Sequence, residues 1–195
     1  MTLFDLLFIV LFLAALATLV VAAGMALVGR FAKAGRVAGR LGIAVAVYLV
    51  VVAAAGLLTP RRYLAIGDDQ CSDDWCIAVD GVSKAETPTA VRYDVTFRVR
   101  SRARRAMQRE PNVVVYLTDA AGRRLDPEPE DAAQPPFDVE LSPGQSVRTA
   151  RTFLAPAGWR DVGLVVARSG FPFPVCCIVG EDGSLLHKRT VVRLD

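Results

Sequence analysis

The most reactive side chains in the sequence are four cysteines, Cys71, Cys76, Cys176 and Cys177. Adjacent cysteines rarely bond to each other, because consecutive Cα atoms lie about 3.8 Å apart, below the usual disulfide range. The favoured expectation is two bridges from the Cys71/Cys76 segment to the Cys176/Cys177 segment, with no free thiol. Each would close a loop of about 100 residues, worth up to about 4–5 kcal/mol in the chain-entropy model. A four-thiolate zinc site fits less well. Cys71-x4-Cys76 exceeds the usual two-to-four-residue spacing, and a Cys-Cys pair supplies two tetrahedral ligands poorly. A redox pair would prefer Cys-x-x-Cys, which is absent. No metal and no cofactor is expected.

The remaining chemistry-bearing residues form no catalytic set. His187 is the single histidine, and no Gly-x-Ser-x-Gly, Walker lysine loop or His-Glu-x-x-His accompanies it. Asp68, Asp69, Asp73 and Asp74 match no Ca²⁺ loop and read as a solvated acidic linker. Arg98, Arg100, Arg102, Arg104, Arg105 and Arg109 read as a solvated strand face followed by a charged turn, with a polyanion contact as the rival. Trp75, Trp159 and the stretch Phe171-Pro172-Phe173-Pro174 pack the ends of a β domain or, at Trp159, Phe171 and Phe173, offer an aromatic contact surface.

The elements that must carry these residues divide the chain near Pro60. Leu6 to Val28 is an uncharged run of 23 residues and Leu41 to Thr59 one of 19. As helices the first reaches about 35 Å, enough for a hydrocarbon core of about 30 Å, and the second about 28 Å, its 19 residues within the spanning range of about 17–25. A cleaved signal peptide would need a positive start and an apolar stretch of about 7–15 residues, and the first run has neither. Arg30, Lys33, Arg36 and Arg40 occupy the connector 29–40. Positive charge resists translocation, so the connector is expected in the cytoplasm with both termini outside. Removing those four bases and Asp5 from the 23 basic and 20 acidic residues leaves the rest of the chain neutral. The net charge of +3 is therefore a topology signal, and no nucleic-acid partner is implied. Ala14, Thr18, Ala22 and Ala26 recur every four residues and would let another helix approach closely, the second span first of all.

Residues 61–75 read as a juxtamembrane linker and 76–195 as a β-rich domain. In Tyr93–Arg100 the residues Tyr93, Val95, Phe97 and Val99 fall on one face and polar residues on the other. Val113–Leu117, Ser146–Leu154, Asp161–Arg168 and Thr190–Leu194 are further strands. Asp119–Gly122 and Leu141–Gly144 are turns, and the proline-rich stretch 126–136 is a loop. About seven strands without an amphipathic helix predict an antiparallel β-sandwich.

The stretches Tyr93-Asp-Val-Thr-Phe, Thr118-Asp-Ala-Ala-Gly-Arg-Arg-Leu, Leu141-Ser-Pro-Gly-Gln-Ser-Val and Thr152-Phe-Leu-Ala-Pro resemble a bacterial immunoglobulin-like domain family of unknown function. That family is similar to secreted mycobacterial immunoprotective-antigen domains. The resemblance, over residues 77–168, implies an immunoglobulin-like fold and often a membrane anchor, and brings no catalytic residues. The combined expectation is a two-helix transmembrane hairpin followed by an immunoglobulin-like sandwich. It sits in the cell (inner) membrane as a multi-pass protein, with its C-terminal domain extracytoplasmic. Its partners are the lipid bilayer and a protein in the membrane or outside it. The expected role is a non-enzymatic binding or accessory module. The alternative is a structural subunit of a larger membrane complex, held through the small-residue ladder.

Overall fold

A computed structural model of the protein describes residues 3–129, 133–169, 175–178 and 186–194. The chain forms two compact units. One holds the N-terminal helices together with the short stretch around Cys176, and the other runs from Arg61 with the last residues of the chain.

In the first unit, α1 spans Leu3–Leu27 and α2 spans Phe31–Leu58. Gly29, at φ +74°, ends α1 in the left-handed region that favours glycine. There the Arg30 amide donates to the Met25 carbonyl at 2.9 Å and the Gly29 amide to Ala26 at 3.0 Å, a Schellman closure. The chain is helical again from Phe31, so the expected connector 29–40 is mostly helix. Lys33, Arg36 and Arg40 ride on the first turns of α2, because alanines and long charged side chains propagate a helix as well as apolar ones. Thr59 and Pro60 stop it: the Thr59 hydroxyl and amide both donate to the Ala55 carbonyl, and Pro60 cannot continue the ladder. The helices pack on each other, and within this unit Ala22 of α1 and Ala34, Val52 and Gly56 of α2 are buried.

The second unit is a pair of packed sheets. Its strands are β1 (Tyr63–Leu64), β2 (Asp69–Ser72), β3 (Trp75–Glu86), β4 (Ala90–Ser101), β5 (Val113–Thr118), β6 (Arg124–Leu125), β7 (Ser146–Pro156), β8 (Gly163–Arg168) and β9 (Val191–Arg193). One sheet runs β1-β9-β8-β5-β6 and the other β2-β3-β4-β7. All pairings are antiparallel except β1 with β9. The core holds Ile77, Val95, Phe97, Leu117, Phe153 and Leu164, with Leu141 fully buried among them. Phe97 meets Phe137 edge-on at 5.2 Å, an arrangement that adds about 0.5–1.5 kcal/mol beyond area burial.

The period-two reading of β4 matches the burial: Tyr93, Val95, Phe97 and Val99 face inward and their neighbours are half-exposed or exposed. In β3 the inward parity changes. Ile77 and Val79 point to the core, and then Val82 does, because Asp80 is an extra residue in a bulge between Val79 and Gly81. Residues 61–75, expected as a linker, contain β1 and β2. Two- and four-residue strands carry too little alternation to register as periodicity. Trp75, expected outside the strands, opens β3 and is buried in the core. The loop 126–136 has a structural task. The Glu128 amide donates to Thr152, the Ala150 amide to the Gln134 side chain and the Thr149 hydroxyl to Pro135. Its described residues, 126–129 and 133–136, thereby cover part of the otherwise open edge of β7, which would be a template for pairing with another chain.

Candidate functional site

The outer face of the four-stranded sheet concentrates the ionisable side chains. Arg98 of β4 stands directly across from Arg148 of β7, a like-charge pairing that is destabilising by itself. The bulge at Asp80 turns a carboxylate toward both, 3.1 Å from the Arg98 guanidinium and 2.9 Å from that of Arg148. One step along the sheet, Asp69 of β2 pairs with Arg100 and, at 3.2 Å, with Arg102. Asp94 is held by the Thr152 hydroxyl at 2.6 Å and by Arg92 at 3.0 Å. The Thr152 hydrogen bond, helped by Arg92 and opposed by burial, keeps its carboxyl below the ordinary carboxylate range. Arg98, Arg100, Arg102 and Arg109 of the arginine run are thus each paired with an acid. Asp69, one of the acids expected in a linker, supplies part of that pairing.

At the β5–β6 hairpin, Asp119 accepts the Arg123 amide at 2.8 Å and its guanidinium at 2.6 Å. Gly122, at φ +77°, lets the turn close as the sequence predicts. Burial alone would raise the Asp119 carboxyl. The Arg123 side chain and amide, its charge and the Ala121 amide outweigh burial and hold the carboxyl low. The Arg123 guanidinium lies 5.2 Å from the Trp159 ring centre. Trp159 also packs against the core, which makes it an end-cap of the sandwich. Phe171 and Phe173, the other residues of the expected contact surface, lie outside the described residues.

A polar cleft of about 360 Å³ opens where β7 meets the covering loop, lined by Arg92, Glu128, Gln134, Arg151, Thr152 and Leu154. Arg151 is the buried cation there. It donates to the Thr149 hydroxyl and the Ala150 carbonyl, both at 2.7 Å, and stacks 4.4 Å from the Phe137 ring centre. These contacts hold it against its own strand and the Phe137 ring. Among the described residues no group of three His, Cys, Asp or Glu side chains converges to hold a metal ion. His187, half-buried, precedes β9 and is not itself in a strand.

The cysteines depart from expectation. Cys71 bonds to Cys76, its direct cross-strand partner in the β2–β3 hairpin, at a Cα separation of 4.0 Å. Asp73, at φ 49°, makes the two-residue turn that brings the pair together, a conformation Asp tolerates better than most residues. Cys176 and Cys177 are free thiols with their sulfurs 3.4 Å apart, in the 3₁₀ turn Val175–Cys177. Excluding a bond between adjacent cysteines had excluded the hairpin bond with it, although a hairpin needs only a tight turn. In the same unit the Tyr48 hydroxyl of α2 donates to the Cys177 carbonyl at 2.6 Å. Sequence reasoning passed over Tyr48. Its signal was that no other side chain in residues 41–58 can form a conventional hydrogen bond.

The small-residue ladder of α1 is split. Ala22 is buried at the helix pair, Thr18 and Ala26 are half-buried and Ala14 is exposed. The Thr18 hydroxyl is satisfied within its own helix by the Ala14 carbonyl at 2.7 Å.

No known family and no curated protein sequence matches the chain. Two solved structures are similar to it. One is an uncharacterised β-sandwich protein from Clostridium difficile 630, with 10% identity, 70% of this chain and 96% of that one covered, and a TM-score of 0.44. The other is the yjhA protein of Bacillus subtilis, with 15% identity, 67% and 98% covered, and a TM-score of 0.40.

Proposed function

We propose that the protein is a membrane-anchored, non-enzymatic binding or accessory module: α1 and α2 cross the membrane as a hairpin, and the immunoglobulin-like sandwich works on the extracytoplasmic side. The observation that carries this reading is the outward apolar surface of both helices. Leu13, Val20 and Val50 are 57%, 64% and 67% exposed, and the pattern continues around and along each rod. A soluble protein does not leave so large a continuous apolar surface in water. Arg30, Lys33, Arg36 and Arg40 cluster at the closed end of the hairpin, which favours a cytoplasmic turn. The Cys71–Cys76 bond suits an oxidising compartment for the sandwich. On the sandwich, the ordered charge lattice of β4 and β7 and the end loops offer rigid, polar contact surface for a protein partner.

The test is chemical crosslinking of the full chain in native membranes, followed by mapping of the linked residues. Links concentrated on the sandwich support the module. Links confined to α1 and α2 would favour the structural subunit, whose specific support is the partly exposed ladder at Ala14 and Thr18. An intact mass lacking the first helix would show a cleaved leader and overturn the hairpin.

A further inference from the structure

Resting on the hairpin reading, we propose that the turn Val175–Ile178 is a third membrane contact, inserted into the hydrocarbon against α2 and anchored there by Tyr48. Three observations converge. Tyr48 lies eight residues beyond Arg40 and twelve before Pro60, about 12 and 18 Å along the helix. That is well inside the apolar run and away from the headgroup level where tyrosines usually sit. Its hydroxyl would have no partner in lipid, and unlike Thr18 it does not turn back on its own helix. The turn has the complementary problem, since a non-helical carbonyl at membrane depth must find a donor within the protein. The hydrogen bond from the Tyr48 hydroxyl to the Cys177 carbonyl satisfies both groups. Cys176 and Ile178 are buried in the same unit. Val175, Cys176, Cys177 and Ile178 carry no charge, so the turn itself can enter lipid.

This placement also accounts for two oxidation states in one chain. Cys71 is exposed, is reached by water-soluble oxidants and is bonded to the buried Cys76. Adjacency disfavours a bond between Cys176 and Cys177 and an apolar setting shields both from water-soluble oxidants, so they are free although their sulfurs are within contact distance.

The test uses the full chain in phosphatidylcholine–phosphatidylglycerol vesicles. Nitroxide labels are placed singly at I178C, L13C and R104C in a C176S/C177S background, and collisions with oxygen are compared with collisions with a water-soluble nickel chelate. The I178C label is expected to favour oxygen as L13C does, with R104C favouring nickel. An aqueous signature at I178C beside an embedded one at L13C overturns the insertion and leaves the hairpin standing. An aqueous signature at L13C overturns the hairpin, and the insertion with it. In the unlabelled chain, a charged maleimide is expected to modify Cys176 and Cys177 slowly in vesicles and rapidly once detergent is added. Y48F should speed that reaction about three- to tenfold, the range expected for loss of one hydrogen bond in a membrane. A Y48F rate equal to wild type would overturn the anchoring.

Discussion

Reduction of the Cys71–Cys76 bond removes a covalent link while leaving every side chain in place, so its effect reads the size of the closed loop. The two cysteines are 5 positions apart. A loop of about six residues restricts the unfolded chain by about 7 cal/mol/K, or about 2 kcal/mol at 25 °C. A single bond from this hairpin to Cys176 or Cys177 would instead close about 100 residues and contribute about 4.7 kcal/mol. The assay is urea unfolding of the full chain in mild detergent, oxidised and reduced, followed by tryptophan fluorescence. Both tryptophans of the chain, Trp75 and Trp159, lie in the sandwich and pack in or against its core, so the signal reports that unit. The expected difference is about 2 kcal/mol, corresponding to about 7 °C in melting temperature for a domain of roughly 130 residues. A loss above about 4 kcal/mol, or none, would refute the hairpin bond. Peptide mapping gives an independent reading: no Lys or Arg separates the two cysteines, so trypsin should leave one peptide with an internal bond and both later cysteines alkylatable.

Three further outcomes follow from the packing and the charges. Phe97→Ala should destabilise the sandwich by about 3–5 kcal/mol in the same assay, because the ring is fully buried against Phe137. Gly163→Ala should cost about 1–3 kcal/mol, since a Cβ there would stand 2.3 Å from the Val191 side chain across the β8–β9 pair, whose branched rotamer has little freedom to yield. Asp94 and Asp119 both titrate below their ordinary range when folded, so their contribution is present above the unfolded carboxylate value of about 3.9 and is lost as pH falls through the folded values. Urea midpoints measured between pH 2 and 7 should therefore drop on the acid side, and D94N/D119N should flatten that drop.

The residues that announced themselves in sequence are those whose pattern extends over many positions. The apolar runs of α1 and α2 and the strict alternation of Tyr93 to Val99 each repeat one physical requirement over several residues. The Asp119–Gly122 turn was legible because Gly122 needs a positive φ. What stayed hidden depends on single positions or on pairing. Asp80 shifts the parity of β3 by one residue and answers Arg98 and Arg148, a relation visible only once β4 and β7 are in register. Cys71 and Cys76 look like one half of a long-range pair until the Asp73 turn sets them opposite each other. Lys33, Arg36 and Arg40 read as a loop because charge was taken to end the helix, whereas charged side chains extend it and only the apolar span stops there. Tyr48 carried a signal in its isolation, but its partner is contributed by a turn far along the chain.

Sidedness decides the account most directly. With Cys176 and Cys177 replaced by serine, single cysteines at R104C in the exposed loop after β4 and at R30C in the turn between the helices are treated in intact cells with a membrane-impermeant maleimide. The account predicts that R104C is labelled from outside and R30C only after the membrane is opened. Labelling of R30C in intact cells with R104C protected would contradict it.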